Sequence, residues 1–259
     1  MYKPFDLSGK VALVTGGNGG IGLGMATALA EAGADIAIWG TNAKKNEAAQ
    51  ARLAGVGRRV ETLVVDVADE AAAEAAMAET VKRLGRVDAC FANAGVTGRA
   101  RSMFEIDGRE FRRVLSVNLD GAFFTLRAAA RHMVARAEKG DAFGRLVGIA
   151  SLAARSGAAR NEHYAATKGG LVAMLKAMAV EFARYGVTAN AILPGWIETE
   201  MTAPTFANEK FAANVLPRVP MRRWGKPEDF GGIAVYLASA ASAFHTGDEI
   251  LIDGGYWVF

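Results

Sequence analysis

The sequence predicts an α/β fold, in which one doubly wound parallel sheet of about seven strands carries helices on both faces. Short apolar runs alternate with longer helical patterns along the whole chain, a glycine cluster follows the first run, and polar residues follow most of the others. Strands that alternate with helices imply parallel βαβ units with right-handed crossovers. Because no linker or shift in composition interrupts the alternation, we predict a single domain over residues 1–259.

The strands are expected where β-branched and other apolar residues form short runs bounded by turn residues. The first run reads Lys-Val-Ala-Leu-Val-Thr and ends at the glycine cluster, and the last precedes an Asp-Gly-Gly turn. We predict strands at residues 10–15, 35–39, 59–65, 87–92, 145–150, 187–193 and 249–252.

The helices are expected in the longer segments between these runs, where each has the length of a crossover connection. The first is closed by Gly33, and the third is rich in alanine, which favours the helix. We predict helices at residues 23–32, 43–53, 70–84, 107–137, 161–185 and 228–240.

The glycine cluster after the first strand has the context of a pyrophosphate-binding turn. Its glycines fit two templates, G-x-G-x-x-G at Gly17, Gly19 and Gly22, and T-G-x-x-x-G-x-G at Thr15, Gly16, Gly20 and Gly22. Glycine permits a tight turn and a close approach of the backbone, and the helix N-terminus that follows favours anions. An ordinary tight turn is the alternative, and the strand before and the helix after favour dinucleotide binding.

Composition excludes several classes of protein. The chain has 259 residues, is 51% hydrophobic and has a net charge of +3, with no block of Lys or Arg that would indicate nucleic-acid binding. Cys90 is the only cysteine, so an intrachain disulfide cannot form. Neither a signal-peptide core nor an apolar run of about 18 residues is present, so we expect a cytoplasmic protein without a membrane span. We expect no metal site.

Tyr164 and Lys168 are four residues apart in a helical pattern, which places both on one helix face. A free phenol has a pKa of ~10 and a lysine one of ~10.4, so neither is a good acid or base at neutral pH. A nearby ammonium stabilises a phenolate, and we therefore expect a lowered pKa for Tyr164. By itself the spacing is a weak signal, since it recurs on solvated helix faces.

Polar residues follow the strands at the edge where an open parallel sheet binds its ligands. Each alone is typical of a turn or cap, but together they surround one crevice. The set consists of Thr15, Asp66, Asn93, Ser151 and Pro194-Gly195. Because Ser151 ends the fifth strand and Tyr164 begins the next helix, the two are expected to face one another, with the serine hydroxyl donating to a substrate oxygen.

Over nearly its whole length the chain resembles the short-chain dehydrogenase/reductases, with a 3-oxoacyl carrier-protein reductase-like Pro-Gly-x-x-x-Thr segment at 194–199. The motifs occur in the order and spacing of that family, whose fold is a Rossmann-type sheet. The resemblance implies a catalytic set of Asn118, Ser151, Tyr164 and Lys168. It implies a cofactor-binding set of Gly16, Asn18, Gly20, Ile21, Gly22, Thr41, Asp66, Val67, Asn93, Ala94, Gly95, Tyr164, Lys168, Pro194, Gly195, Ile197 and Thr199.

The activity that the resemblance implies is NAD(P)-dependent interconversion of a secondary alcohol and a ketone. Tyr164 would act as general acid/base, Ser151 would hold the reacting oxygen, and Lys168 with Asn118 would supply protons. A catalytically silent cofactor-binding sensor or scaffold is the alternative, although such a protein would be expected to lose Tyr164 or Lys168. Enzymes of related fold that epimerise or eliminate usually carry a larger substrate domain.

Cofactor preference depends on the turn after the second strand, which meets the adenine ribose. Gly40 stands where an NAD-selecting acid would be, and Thr41, Asn42 and Lys44 or Lys45 are suited to a 2′-phosphate. The family's frequent arginine at position 41 is missing. We therefore expect NADP to be favoured and NAD to be possible.

The substrate is expected to be a small alcohol or carbonyl compound, but its identity stays open. Residues 196–224 are expected to form a lid whose aromatic and methionine side chains either line an apolar pocket or pack the lid onto the body. His163 is expected to be solvated or capped rather than in contact with substrate. Arg155 and Arg160 precede Tyr164, where a solvated loop is favoured over contacts to an anionic substrate.

A homotetramer is expected, because the two long helices carry more apolar residues than one face of a sheet covers. The candidates for this surplus are Ala129, Met133, Met174, Met178 and Phe182. The apolar C-terminal tail, Trp257-Val258-Phe259, suggests a second interface.

Overall fold

The computed structural model describes residues 3–98 and 100–259. Seven strands form one sheet in the order β3-β2-β1-β4-β5-β6-β7, and every pair of neighbouring strands is parallel. The strands are β1 Val11–Thr15, β2 Asp35–Gly40, β3 Val60–Val64, β4 Ala89–Ala92, β5 Gly144–Ile149, β6 Val187–Pro194 and β7 Glu249–Ile252. The predicted fold class and all seven predicted strands are confirmed.

Helices cover both faces of the sheet. They are α1 Gly20–Glu31, α2 Ala43–Ala54, α3 Glu70–Leu84, α4 Gly108–Leu115, α5 Gly121–Ala137, α6 Ala153–Ser156, α7 Glu162–Phe182, α8 Ala203–Phe206, α9 Glu209–Val215 and α10 Gly231–Ala238. Among the described residues, no helix combines the length and the apolar character that a membrane crossing requires.

Alternation along the strands separates two apolar cores. Val11 and Leu13 of β1 point into a core shared with α3, α5 and α7, whereas Ala12 and Val14 point into one shared with α1, α2 and α10. Successive side chains of a strand face opposite sides, so a sheet covered on both faces needs apolar residues at every position. This requirement accounts for the uninterrupted apolar runs of the sequence.

The order of the strands reverses between β1 and β4, and this reversal determines where the sheet can bind a ligand. β1 is followed in the chain by β2 on one side and is paired with β4 on the other. The connections leave in opposite directions at this point, which opens a crevice beyond the carboxyl ends of the two strands. The glycine cluster after β1 and the Asn93-Ala94-Gly95 turn after β4 therefore border the same crevice.

The long helix predicted for residues 107–137 is divided. A π-helical turn at Ser116–Asp120 separates α4 from α5, and the predicted helix at 228–240 begins with a 3₁₀ turn at Pro227–Phe230. π-Helical turns inside α-helices often occur at functional sites. Here the turn contains Asn118, whose amide reaches the loop after β4. The pairing with that loop is a long-range contact that helical periodicity does not reveal.

The residues predicted to be surplus on the two long helices are mostly internal. Ala129, Met133 and Met178 are buried in the core of the single chain, and Met174 and Phe182 pack against it. The choice of these five residues was wrong, because each of them packs within the single chain. Other apolar side chains are exposed, namely Val180 on α7 and, outside the two long helices, Phe104 and Phe244.

Candidate active site

The turn after β1 is shaped by glycines at positions where a side chain would not fit. Gly16 and Gly20 have φ angles of +62° and +50°, in the region that favours glycine. A Cβ atom at Gly22 would collide with the Gly16 carbonyl oxygen and lie 2.5 Å from Asn93 Nδ2. The turn therefore brings backbone close to the crevice at the N-terminus of α1, which suits a pyrophosphate. α1 begins at Gly20 rather than at the predicted residue 23.

The ends of β1 and β4 are locked together by side chains. Thr15 Oγ1 accepts hydrogen bonds from the Asn93 and Ala94 backbone N–H groups, each at 3.0 Å. In return, Asn93 Nδ2 donates to the Thr15 carbonyl oxygen at 2.8 Å. These bonds satisfy backbone groups that the strands leave unpaired and hold one wall of the crevice against the other.

The turn after β2 has no room for a side chain at Gly40. A Cβ atom there would collide with Asn18 Nδ2 and lie 2.6 Å from Asn46 Oδ1. Asn18 Nδ2 donates to Asn46 Oδ1 at 2.7 Å, and Asn46 Nδ2 donates to the Gly40 carbonyl oxygen at 3.0 Å. The position where an acid would select NAD is thus occupied by two amides from neighbouring elements.

Asn118 connects α4 and α5 to the loop after β4. Its Oδ1 accepts from the Val96 N–H at 2.8 Å, and its Nδ2 donates to the Val96 carbonyl oxygen at 2.9 Å. A second contact at 3.3 Å reaches Thr167 Oγ1, one residue before Lys168. The buried amide therefore fixes the loop against the helix that carries Tyr164.

Ser151, Tyr164 and Lys168 meet at the end of β5. Lys168 Nζ lies 5.5 Å from the centroid of the Tyr164 ring and donates to the Ile149 carbonyl oxygen at 2.7 Å. Ser151 Oγ accepts from the Ala153 N–H at 3.1 Å, which leaves its own proton for another acceptor. Two helical residues one turn apart and one strand-end residue thus form a single polar cluster.

The expected lowering of the Tyr164 pKa is not what the structure gives. Burial raises the pKa of Tyr164 above its ordinary value, and hydrogen bonding to Ser151 only opposes this effect. Burial also lowers the pKa of Lys168 to about 8. The reason for the difference is that the ammonium lies over the ring and bonds to Ile149 rather than to the phenol oxygen.

These elements enclose a cavity of about 380 Å³, called here the main cavity. Its walls are the turn after β1, the turn after β4, the Ser151–Tyr164–Lys168 cluster and the segment after β6. The predicted site residues that line it are Gly16, Asn18, Gly20, Ile21, Asn93, Ala94, Gly95, Ser151, Tyr164, Lys168, Pro194, Gly195, Ile197 and Thr199.

A second cavity of about 490 Å³ lies beside the main cavity, with which it shares the lining residues Gly95 and Met201. Its polar wall is Glu110 of α4, whose carboxylate accepts from Arg113 at 2.7 and 2.8 Å. Arg113 Nη2 also donates to the Thr97 carbonyl oxygen at 3.0 Å. Hydrogen bonding from Arg113 lowers the pKa of Glu110 to about 2, so this wall carries an ordered ion pair.

Comparison with known proteins identifies the family. The family model described as "Enoyl-(Acyl carrier protein) reductase" matches residues 16–257. Gluconate 5-dehydrogenase of Gluconobacter oxydans is 36% identical over 254 residues, which are 98% of this chain and 97% of that protein. The 3-oxoacyl-[acyl-carrier-protein] reductase FabG of Chlamydia pneumoniae is 34% identical over 249 residues, with 96% and 97% covered.

A solved structure agrees over the same length. Gluconate 5-dehydrogenase from Burkholderia cenocepacia, in complex with NADP and tartrate, superimposes with a TM-score of 0.92 at 36% identity and covers 99% of this chain and 98% of that one. The chain belongs to the short-chain dehydrogenase/reductase family. It is therefore an NAD(P)-dependent oxidoreductase that acts on a CH–OH group and its carbonyl counterpart.

Several residues predicted for this dehydrogenase/reductase lie behind the cavity wall or away from it. Gly22 and Asn118 support the wall from behind, Val67 is in the core, and Thr41 and Asp66 are exposed in the turns after β2 and β3. The predicted site set omits Gly19, although it fits a glycine template, and Met201, although it was a candidate lid side chain. Ile149, Ala150, Glu200 and Thr202 were not identified from the sequence; all six residues line the main cavity. Gly19 belongs to the first glycine template, G-x-G-x-x-G, whereas nothing in the sequence marks Ile149, Ala150, Glu200 and Thr202.

In the segment predicted to form a lid, residues 196–224, aromatic side chains pack mainly on one another. Phe206 stacks on Trp224 with ring centroids 4.3 Å apart, and Trp196 meets Phe211 edge-on at 5.0 Å. Of the methionine and aromatic side chains Met201, Phe206, Phe211, Met221 and Trp224, Met201 alone lines the main cavity. Of the two alternatives left open, packing accounts for the aromatics and cavity lining for Met201.

His163 is not solvated as expected, and Arg155 and Arg160 lie away from the two cavities. His163 is buried rather than solvated, with its Nε2 atom 3.6 Å from Glu110 Oε1 and its ring against Gly98. Arg155 pairs with Glu249 at 3.0 Å, and neither it nor Arg160 lines the main or second cavity. The favoured solvated-loop interpretation agrees with both positions.

Proposed function

We propose that the protein interconverts a secondary hydroxyl and a ketone on a small polyhydroxylated acid, with NADP as its preferred cofactor. The observation that carries the proposal is that the two cavities share Gly95 and Met201 as lining residues, so the Glu110–Arg113 pair borders a space next to the Ser151–Tyr164–Lys168 cluster. A carboxylate and a guanidinium side by side offer an acceptor and several donors to a substrate with many hydroxyls. The name of the Gluconobacter relative, gluconate 5-dehydrogenase, is consistent with such a substrate.

The cavity residues fit a nicotinamide dinucleotide. The turn at Gly16 and Gly20 keeps backbone free of side chains at the N-terminus of α1, where a pyrophosphate is favoured. When bound, the cofactor accepts or delivers the hydride, and the protein is left to orient the substrate and move the proton. Lys45 lines the adenine end and Gly40 carries no acid, both of which favour NADP.

In the proposed mechanism, Ser151 and Tyr164 hold the reacting oxygen through their hydroxyl groups. Tyr164 gives its proton to that oxygen in reduction and removes it in oxidation. Its raised pKa keeps the phenol protonated at neutral pH, which suits the acid role. Lys168 remains beside the ring through its bond to Ile149, and Asn118 holds the loop at Val96 that borders the same space.

Tyr164→Phe tests the role of the phenol. We expect a loss of at least about a hundredfold in kcat, the usual scale for general acid–base catalysis, with little change in the Kd for NADPH. The measurement is steady-state reduction alongside a fluorescence titration of the cofactor. A variant that retains more than a tenth of the wild-type rate would remove Tyr164 from this role.

The substrate class is tested by comparing kcat/KM for 5-keto-D-gluconate, a simple aliphatic ketone and an acetoacetyl thioester, each with NADPH and with NADH. We expect the keto acid with NADPH to be the best combination. A thioester that exceeds it would favour the 3-oxoacyl carrier-protein reductase, the activity named in the Chlamydia relative. A ratio of NADPH to NADH below one would contradict the cofactor preference alone.

We further propose a cytoplasmic homotetramer whose lid, residues 196–224, covers the substrate. Exposed apolar side chains at Phe104, Val180 and Phe244 support association, since such surfaces are usually buried between subunits. Light scattering at micromolar concentration is expected to give four times the 27.2 kDa chain mass. A monomer mass would contradict the assembly.

A further inference from the structure

An ion pair connects α2 to the segment after β6 across the main cavity. Lys45 Nζ bonds to Glu200 Oε2, although the two residues are separated by 155 positions in the sequence. Both line the main cavity, and their side chains are 46% and 79% exposed. The pair is thus accessible to a ligand that enters the cavity.

The two residues of the ion pair come from different parts of the cavity wall. Lys45 lies in the first turn of α2, directly after the turn that follows β2, where a dinucleotide places its adenine ribose. Glu200 follows Thr199, whose Cγ2 packs against Gly20 of the turn after β1. The lid therefore contacts the turn after β1 through Thr199, and through Glu200 it contacts the start of α2, where we propose that the adenine ribose binds.

Lys45, the lysine placed to bind a 2′-phosphate, is already paired with Glu200. Lys45 and Lys168 are the two lysines that line the main cavity in the described part of the chain, and Lys168 is held by Ile149 near Tyr164. A 2′-phosphate carries between one and two negative charges, whereas a 2′-hydroxyl carries none. To pair with Lys45, the 2′-phosphate must displace the Glu200 carboxylate and then stay close to that negative charge. This costs binding free energy for NADP but not for NAD, which has no 2′-phosphate.

We propose that Glu200 is a specificity-determining residue that weakens the preference for NADP by pairing with Lys45. This inference rests on the proposed NADP preference and adds a lid residue that limits it. An exposed ion pair of this kind changes an equilibrium by about two- to fivefold. Glu200 is accordingly expected to bring the affinities for the two cofactors closer together rather than to exclude either.

The structure of the helix start does not depend on this pair. Asn42 caps α2 by accepting from the Lys45 backbone N–H at 3.1 Å, so the side chain of Lys45 is free to change without loss of the cap. An exposed neighbour of Glu200 provides a matched control. Glu198 is exposed, does not line the main cavity and forms no ion pair within residues 3–98 and 100–259.

The test measures Kd by calorimetry for 2′,5′-ADP and for 5′-AMP, two probes that differ by the 2′-phosphate. Glu200→Gln is expected to tighten 2′,5′-ADP by about two- to fivefold and to leave 5′-AMP unchanged. Lys45→Met is expected to weaken 2′,5′-ADP by about tenfold, and in that background Glu200→Gln is expected to gain less. Glu198→Gln is expected to leave the ratio of the two Kd values unchanged.

The inference is overturned if Glu200→Gln leaves the ratio of the two Kd values unchanged, or if Glu198→Gln shifts it equally, which would indicate a general effect of charge. Failure of the proposed cofactor preference has a separate readout. It appears in the wild-type protein as 2′,5′-ADP that binds no tighter than 5′-AMP, whatever the variants do.

Discussion

The edge of the sheet that we propose binds the cofactor phosphates and the segment that we propose as a lid line the same cavity, but they are built differently. At the edge, defined as residues 15–22 with Asn93 and Lys168, backbone groups and single buried side chains determine the geometry. In the lid, residues 196–224, stacked rings such as Phe206 and Trp224 hold the segment together. The first depends on one residue type at each position, whereas the second depends on apolar area that several residue types supply.

The difference explains why the cofactor is easier to predict than the substrate. A position such as Gly22, where a Cβ would lie 2.5 Å from Asn93 Nδ2, accepts only glycine, so it leaves a motif in the sequence. Aromatic stacking tolerates exchange, since hydrophobic contacts have little directionality. Substitutions in the two regions are therefore expected to differ in size and in the property that changes.

Gly22→Ala is expected to have the largest effect. The added methyl group overlaps the Gly16 carbonyl oxygen and Asn93, and overpacking of this kind costs about 1–3 kcal/mol in the free energy of unfolding. The displaced turn is also expected to weaken NADPH binding by more than about tenfold. Denaturant unfolding and a cofactor titration measure the two effects.

Gly19→Ala is the matched control for that substitution. A Cβ at Gly19 meets no atom within 4 Å, and its φ of −175° is open to any residue. An equal loss in both variants would mean that the edge is not governed by steric exclusion.

Thr15→Val is expected to come next. The substitution keeps the shape but removes the oxygen that accepts from Asn93 and Ala94 at 3.0 Å. Buried N–H groups left without a partner cost about 1–3 kcal/mol, so the free energy of unfolding should fall by about that amount. Thr15→Ser retains the acceptor and should recover most of the loss; if it does not, packing rather than hydrogen bonding is responsible.

We expect the activity to depend on pH in the alkaline range through Lys168, a residue of the edge. Because the pKa of Lys168 is lowered to about 8, its ammonium loses a proton as the pH rises through that value. In reduction, kcat/KM should be highest below pH 8 and fall above it, since the neutral amine no longer stabilises the phenolate that forms. Lys168→Arg should abolish this fall, because a guanidinium stays charged; a fall that persists in the variant must have another source.

Phe206→Leu is expected to have the smallest effect on stability. It removes one ring from a stack that Trp196, Phe211 and Trp224 maintain, and the unfolding free energy should change by less than about 1 kcal/mol. KM for the substrate should rise a few-fold while the alkaline pKa and the Kd for NADPH stay unchanged. A shift in either of these would connect the lid rigidly to the edge and remove the contrast.

Much of the fold follows from periodicity that a short window of sequence contains. The apolar runs are strands because both sheet faces are covered, and the 3.6-residue patterns are helices between them. The break at Ser116–Asp120 was not predicted, because it follows from the contact of Asn118 with Val96, far away in the sequence. The buried position of His163 escaped prediction for the same reason.

The sequence by itself determined the doubly wound sheet, the glycine turn, and the Ser151, Tyr164 and Lys168 cluster. Those features depend on local spacing and on steric demands that a single residue type meets. Only the tertiary structure decided that Asn18 and Asn46 occupy the space beside Gly40, that the lid aromatics stack on one another, and that Glu200 pairs with Lys45. Such contacts join residues that are distant along the chain, and no local pattern records which of many compatible side chains will meet.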